Sequence, residues 1–169
     1  MALTDIPYYY KIEFPIQSIY SEIQSPNLSV LHDYICSSIF NILIESIPEQ
    51  DAIRLENIIN HLAKTKKDLL LSIVNTKIER SDVRGFAAKL LIKNSYSSDL
   101  DEIITRILED TDSLVRFGVL YGLEEIQDFD RIRKLFITDS NIRIQETALE
   151  ILENLNGIYT VFQQIAQSV

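Results

Sequence analysis

Cysteine occurs once in these 169 residues, at Cys36, so no internal disulfide staples the fold. A lone thiol is what a reducing compartment allows. Glycine and proline number four each, so turn signals are scarce and long uninterrupted elements are expected. No run approaches the roughly 18 consecutive apolar residues of a membrane-spanning helix. The most apolar region, 30–47, is interrupted by His32, Asp33, Asn41 and Glu45. Basic residues are also in short supply. Sixteen Lys and Arg face twenty-five Asp and Glu, a net charge of -9. Such a chain lacks the basic footprint by which proteins hold nucleic-acid phosphates, and a DNA- or RNA-binding role is disfavoured. The start, MALTDIPYYYKIEF, has no basic residues followed by an apolar run and a small-residue cleavage site. The expectation is a soluble, cytoplasmic protein.

What is present is the balance of an ordinary globular domain, 46% hydrophobic and 24% charged. From about Asn27 onward the apolar spacing is helical. Val30, Leu31, Tyr34, Ile35, Ile39, Ile42 and Leu43 follow the three-and-four rhythm of an amphipathic helix. Pro48 suits the first turn of the next helix, which turns Ile53, Ile58, Ile59 and Leu62 inward. Further helices are predicted at about 67–78, 81–94, 99–110, 112–126, 128–138, 140–156 and 157–167. Connections of a few residues make consecutive helices antiparallel neighbours.

The C-terminal half repeats itself. Placing Asp99 over Asp128, an offset of 29, aligns Ile103 with Ile132, Leu108 with Ile137 and Asp110 with Asp139. The same offset pairs Val115 with Ile144, Val119 with Ala148 and Leu123 with Leu152. A partial third copy matches Ile132 to Val161 and Phe136 to Ile165, a lone first helix at 157–167. Upstream the register is looser, with Val83-Arg84 standing 32 residues before Val115-Arg116.

An Asp at a turn, then Val-Arg opening a helix, then small or apolar residues at four-residue steps resembles the HEAT repeat family. The carrying residues are Val83-Arg84, Ala87 and Leu91, then Asp112, Val115-Arg116, Val119 and Leu123, then Asp139, Ile142-Arg143, Ala148 and Leu152. In the last copy Arg143 does not fall on Arg116 in the 29-residue register. The resemblance covers about 67–167. It implies an all-α, HEAT-like α-solenoid of antiparallel helix pairs, nine or ten helices in a single domain over 1–169. That domain divides into an extended N-terminal arm with a short helix (1–26), N-terminal helices (27–98) and regular 29-residue repeats (99–169). Local chemistry agrees: Asp99 with Glu102 reads as a capping box, and Asp112, Asp128 and Asp139 or Ser140 as N-caps. In the arm, Ile6, Tyr8, Tyr10, Ile12 and Phe14 alternate with Pro7, Tyr9, Lys11 and Glu13, a period of two. It is expected to close one end of the solenoid; the alternative is an edge that adds to a partner's sheet.

Catalytic groups are thinly supplied. His32 and Cys36 lie four apart on one helix, but in apolar surroundings Cys36 reads as a small buried hydrophobe. His61 reads as a helix-end residue. Two isolated histidines give no zinc-type spacing. Gly85, Gly118, Gly122 and Gly157 are too dispersed for a phosphate loop, and Gly118 with Gly122 reads as a close-packing pair. Asp99 with Asp101, and Asp128 with Asp130, lack the central glycine and terminal Glu of a calcium loop. No catalytic residue, cofactor or metal is expected.

The charge is unevenly placed. Residues 1–94 carry a net −1 and residues 95–169 a net −8. With Val115, Val119, Leu123 and Ile126 facing the core, Phe117, Tyr121 and Glu124 fall on another face. One repeat later these become Glu146, Glu150 and Glu153. The HEAT resemblance implies that second helices line a concave side, where these six residues form adjoining rows. Aromatic anchors beside acids suit the binding of a basic protein. The leading expectation is a bacterial immunity protein, as in contact-dependent inhibition, that neutralises a basic toxin such as a nuclease. The alternatives are a HEAT-like scaffold or regulatory subunit and, further off, a HEAT-like lyase-type enzyme; a glycosylase fails on charge, since such a surface would repel DNA.

Overall fold

The computed structural model describes residues 34–36 and 49–167, with 156–167 and 49, 51, 52, 54, 55 and 58 described as helix only. The alternating segment 6–14, His32 and most of the helix expected over 30–47 lie outside the described residues. Tyr34–Cys36, within that stretch, is helical and buried. The rest forms α1 (Glu49–Thr65), α2 (Lys67–Asn75), α3 (Ser81–Lys93), α4 (Ser97–Leu108), α5 (Ser113–Glu125), α6 (Phe129–Thr138) and α7 (Ile142–Gln167). No strand occurs among the described residues. The described part of the chain is all-α, and none of these helices is long and apolar enough to cross a membrane.

The 29-residue register reappears as burial. Ile103 and Ile132, Val115 and Ile144, and Val119 and Ala148 are all buried, and Val83, Ala87 and Leu91 of α3 join them. Fully burying one of the Val, Ile or Leu side chains among them contributes roughly 1.5–3 kcal/mol. The most extensive helix contact is between α3 and α5, with α2 against α3, α4 and α6 against α5, and α7 against both α6 and α5.

Glycine explains why α3 and α5 come so close. A Cβ at Gly85 would stand 2.5 Å from the Leu114 carbonyl oxygen, and one at Gly118 would stand 2.0 Å from the carbonyl oxygen of Gly85. At Gly122 it would meet Ile92 Cβ at 2.6 Å. The expected Gly118–Gly122 packing pair is present, and Gly85 completes it from the other helix.

Helix boundaries follow local chemistry, with some departures from expectation. Asp112 caps α5 by accepting from Leu114 N at 3.0 Å, and Asp128 caps α6 by accepting from Arg131 N at 3.2 Å. At α7 the cap is neither Asp139 nor Ser140: Asn141 accepts from Arg143 N at 3.0 Å. The capping box at Asp99–Glu102 does not form, because α4 already begins at Ser97 and leaves Asp99 inside the first turn. Helix α5 ends on Gln127 at φ 57, with Gln127 N–H bonding Glu124 O and Asp128 N–H bonding Leu123 O, both at 3.0 Å. Glycine is the usual occupant of that left-handed position.

The last two predicted helices are one: α7 runs 26 residues from Ile142 to Gln167, continuing past Gly157 without a break. A single interior glycine costs a helix about 1 kcal/mol relative to alanine, too little to end it without a proline or a cap.

In an unobstructed helix Gly→Ala is stabilising. Gly118→Ala should instead destabilise the protein by about 1–3 kcal/mol, since the added methyl overlaps Gly85 backbone. Urea unfolding followed by circular dichroism measures this; an unchanged midpoint would contradict the close approach.

Candidate partner-binding surface

The turns between α2 and α3, α4 and α5, and α6 and α7 hold a chain of charged groups that settles which acids are structural. Arg84, 3% exposed, donates Nε–H to Val74 O at 2.8 Å and pairs through its guanidinium with Asp110. Lys77 also pairs with Asp110, whose Oδ1 accepts from Asp112 N at 2.9 Å. One repeat on, Arg116 donates to Asp110 O at 2.8 Å and grips both carboxylate oxygens of Asp139, at 2.9 and 3.2 Å. Asp139 Oδ1 then accepts from Asn141 N at 2.8 Å, as Asp110 does from Asp112.

The third rung is Gln145, which stands 29 residues after Arg116 and donates to Asp139 O at 2.7 Å. Arg143 is exposed and its side chain takes no part in the rung. An amide makes the local bond without a charge to extend toward another turn.

Burial pushes the Asp110 carboxyl up, but its bonds from Lys77 and Asp112 N–H and the charge of Arg84 outweigh that and hold it below the ordinary value. Glu125 is likewise lowered, with burial opposed by Lys89 and Lys93. Asp99 is lowered by its bonds from Lys67 and Ser98, and Asp101 by Arg131. Arg131 is in turn raised by Asp101 and Asp128.

The acids of the repeated half therefore fall into two groups. Asp99, Asp101, Asp110, Asp112, Glu125, Asp128, Asp130 and Asp139 all sit in ion pairs. Glu124, Glu146, Glu150 and Glu153 are exposed and have no ion-pair partner among the described residues. The same holds for Glu102 and Glu109 on the first-helix side.

Phe117 and Tyr121 come together as a stacked pair, ring centroids 5.9 Å apart and planes at 22°. Tyr121 is 41% exposed, whereas Phe117 is half-buried and packs against the core rather than standing free. Both rings border a groove between α3 and α5. The α7 glutamates are linked to this pair through the packing of α7 on α5. Phe86 and Leu114 complete the groove walls and were not among the sequence-derived site residues. Phe86 stands outside the buried row Val83–Ala87–Leu91, which was the available signal. Ile142 and Leu149, exposed on α7, add apolar surface to the helix that carries the glutamates.

Cys36 is buried, as expected of a small hydrophobe, and His61 is exposed in the last turns of α1, its carbonyl accepting from Thr65 Oγ1 at 2.8 Å. Among the described residues no three His, Cys, Asp or Glu side chains gather as a metal would require. No protein family, curated protein or solved structure shows significant similarity to this chain.

Arg84→Ala leaves Asp110 buried with a weaker set of partners. It should cost about 3–5 kcal/mol, the usual penalty for removing one member of a buried ion pair, in urea unfolding at neutral pH. The acid response has a definite sign. A carboxyl lowered by folding contributes stability above its unfolded value, about 3.9 for Asp, and that contribution fades as pH falls through the lower folded value. Stability should thus decline on acidification below about pH 5, and Asp110→Asn, less stable at neutral pH, should show a shallower decline. Parallel slopes in the two proteins would remove Asp110 from this role.

Proposed function

We propose that this chain is a non-catalytic, HEAT-like solenoid that acts in the cytoplasm as an immunity protein. It binds a basic cognate toxin, such as a nuclease, through the second-helix face bearing Phe117, Tyr121, Glu124, Glu146, Glu150 and Glu153. The observation that carries this reading is the division of the acids. The aspartates of the turns are neutralised within the fold, while these glutamates are exposed and free of ion pairs among the described residues. Their charge is available to a partner.

The chemistry follows from that availability. Exposed charge of one sign attracts an oppositely charged protein over a Debye length, about 8 Å at physiological salt, and raises the association rate. Toxins that cleave nucleic acid carry the complementary charge because they grip phosphates. Aromatic surface next to the acids supplies the apolar contact that slows dissociation. Stacking of α3, α5 and α7 as successive second helices gives a continuous surface to offer, the usual mode of action of repeat solenoids.

The test is protection. A basic nuclease toxin encoded beside this protein should lose its activity on nucleic acid when the two are mixed at equimolar ratio. Full toxin activity at saturating protein would end the immunity reading. The triple variant Glu146→Lys, Glu150→Lys, Glu153→Lys should slow association at least tenfold at low salt and flatten its salt dependence, with dissociation changed less. Unchanged stopped-flow association would remove α7 from the binding face.

A further inference from the structure

The groove between α3 and α5 exists because two glycines leave nothing to fill it. Gly85 and Gly118 bring the helix backbones into contact and form a floor without side chains. The walls are Phe86 from α3 and Leu114, Phe117 and Tyr121 from α5, enclosing about 280 Å³. Leu114 is 49% exposed at the start of α5, so a large apolar side chain stands at the mouth rather than in the core. The stacked Phe117–Tyr121 rings present a fixed apolar wall.

Charge around the groove selects what enters. Asp82 and Lys89 stand at its edges, and each is already engaged: Asp82 by Arg80, with Nε to Oδ1 at 3.1 Å, and Lys89 by Glu125. On α5 the acidic residue without an ion pair among the described residues is Glu124, three residues beyond Tyr121 on the helix. The α7 glutamates extend that sign. An incoming segment therefore meets an apolar slot with unneutralised negative charge alongside it.

Resting on the binding reading above, we propose that the α3–α5 groove is the anchor pocket of the interface. It receives one large apolar or aromatic side chain from a segment of the partner in which that residue is flanked by lysine or arginine. The flanking cations lie toward Glu124 and the α7 glutamates, while the anchor packs between Phe86, Leu114 and the Phe117–Tyr121 pair. Affinity then comes from the slot and encounter rate from the acids.

The chain contains no tryptophan, so a tryptophan in a probe peptide reports its own environment. Three peptides serve as probes: a lysine-rich heptamer with central Trp, the same heptamer with central Ala and an amino-terminal dye, and a glutamate-rich heptamer with central Trp. The lysine–Trp peptide should bind saturably with a blue shift in Trp emission. The lysine–Ala peptide should bind at least about tenfold more weakly, and the glutamate–Trp peptide should not bind. Tyr121→Ala and Leu114→Gln, both at exposed positions, should each weaken the lysine–Trp peptide about tenfold while leaving the far-ultraviolet spectrum and the urea midpoint near those of the parent.

Binding with no blue shift, unaffected by Tyr121→Ala and Leu114→Gln but abolished by the triple Glu→Lys variant, overturns the groove and leaves the acidic face standing. Equal binding of the Trp and Ala peptides does the same. Binding of the glutamate–Trp peptide as tightly as the lysine–Trp peptide overturns the charge selection on which both readings rest. Failure of every peptide to bind overturns the anchor pocket, while toxin protection continues to judge the immunity reading independently.

Discussion

Helices α3 and α5 touch through backbone, and much else in this molecule is set by that approach. Side chains ordinarily hold helix axes 8–10 Å apart. Replacing them by hydrogen at Gly85, Gly118 and Gly122 lets carbonyls and Cα atoms meet directly. The approach brings the turn before α5 within reach of Arg84, so that a buried guanidinium finds Asp110 instead of remaining an uncompensated charge. It also leaves the outer side of the contact without filling, and that unfilled strip is the groove. Core and candidate binding surface are consequences of one steric choice.

The two acidic residue types divide the work by side-chain length. Aspartate is short enough to bond backbone N–H groups in its own turn, as Asp110 and Asp139 do, while offering its other oxygen to an arginine. Glutamate is a better helix former and projects farther, which suits it to exposed helix faces such as those of α5 and α7. A net charge of -9 thus conceals two populations. One is spent on stabilising turns, and the other is presented to solvent.

The repeat was legible because burial has the same period as the sequence. Ile103/Ile132, Val115/Ile144 and Val119/Ala148 are apolar for the reason that they occupy equivalent core positions. Features set by hydrogen bonding were less legible. The register already set Arg143 off from Arg116, but not that Gln145 would take the equivalent rung, because geometry admits any donor of sufficient reach. The end of α5 was legible from the apolar spacing, expected at 126 and found with Ile126 as C-cap, although Gln127 holds the left-handed position that glycine or asparagine normally marks. Gly157 suggested a break where neighbouring helical propensity carries α7 through. On the candidate surface, the exposed glutamates could be read from helical spacing. For Phe86 the spacing shows only that it stands outside the buried row, because its place in the groove depends on the distance between α3 and α5 rather than on its own helix.

The arginine–aspartate rungs have a consequence for how such a chain can change length. Residues 110–138 begin with an aspartate that receives the preceding arginine and end just before an aspartate that receives their own. Duplicating that block in tandem would give Arg116 the new copy's aspartate and give the new copy's arginine Asp139. Every buried cation would keep an anion. The connection inside a unit can still vary, since Arg84 meets Asp110 across 26 residues and Arg116 meets Asp139 across 23. Electrostatic closure thus favours lengthening this half of the molecule by whole units, because each unit brings the aspartate that the arginine before it requires.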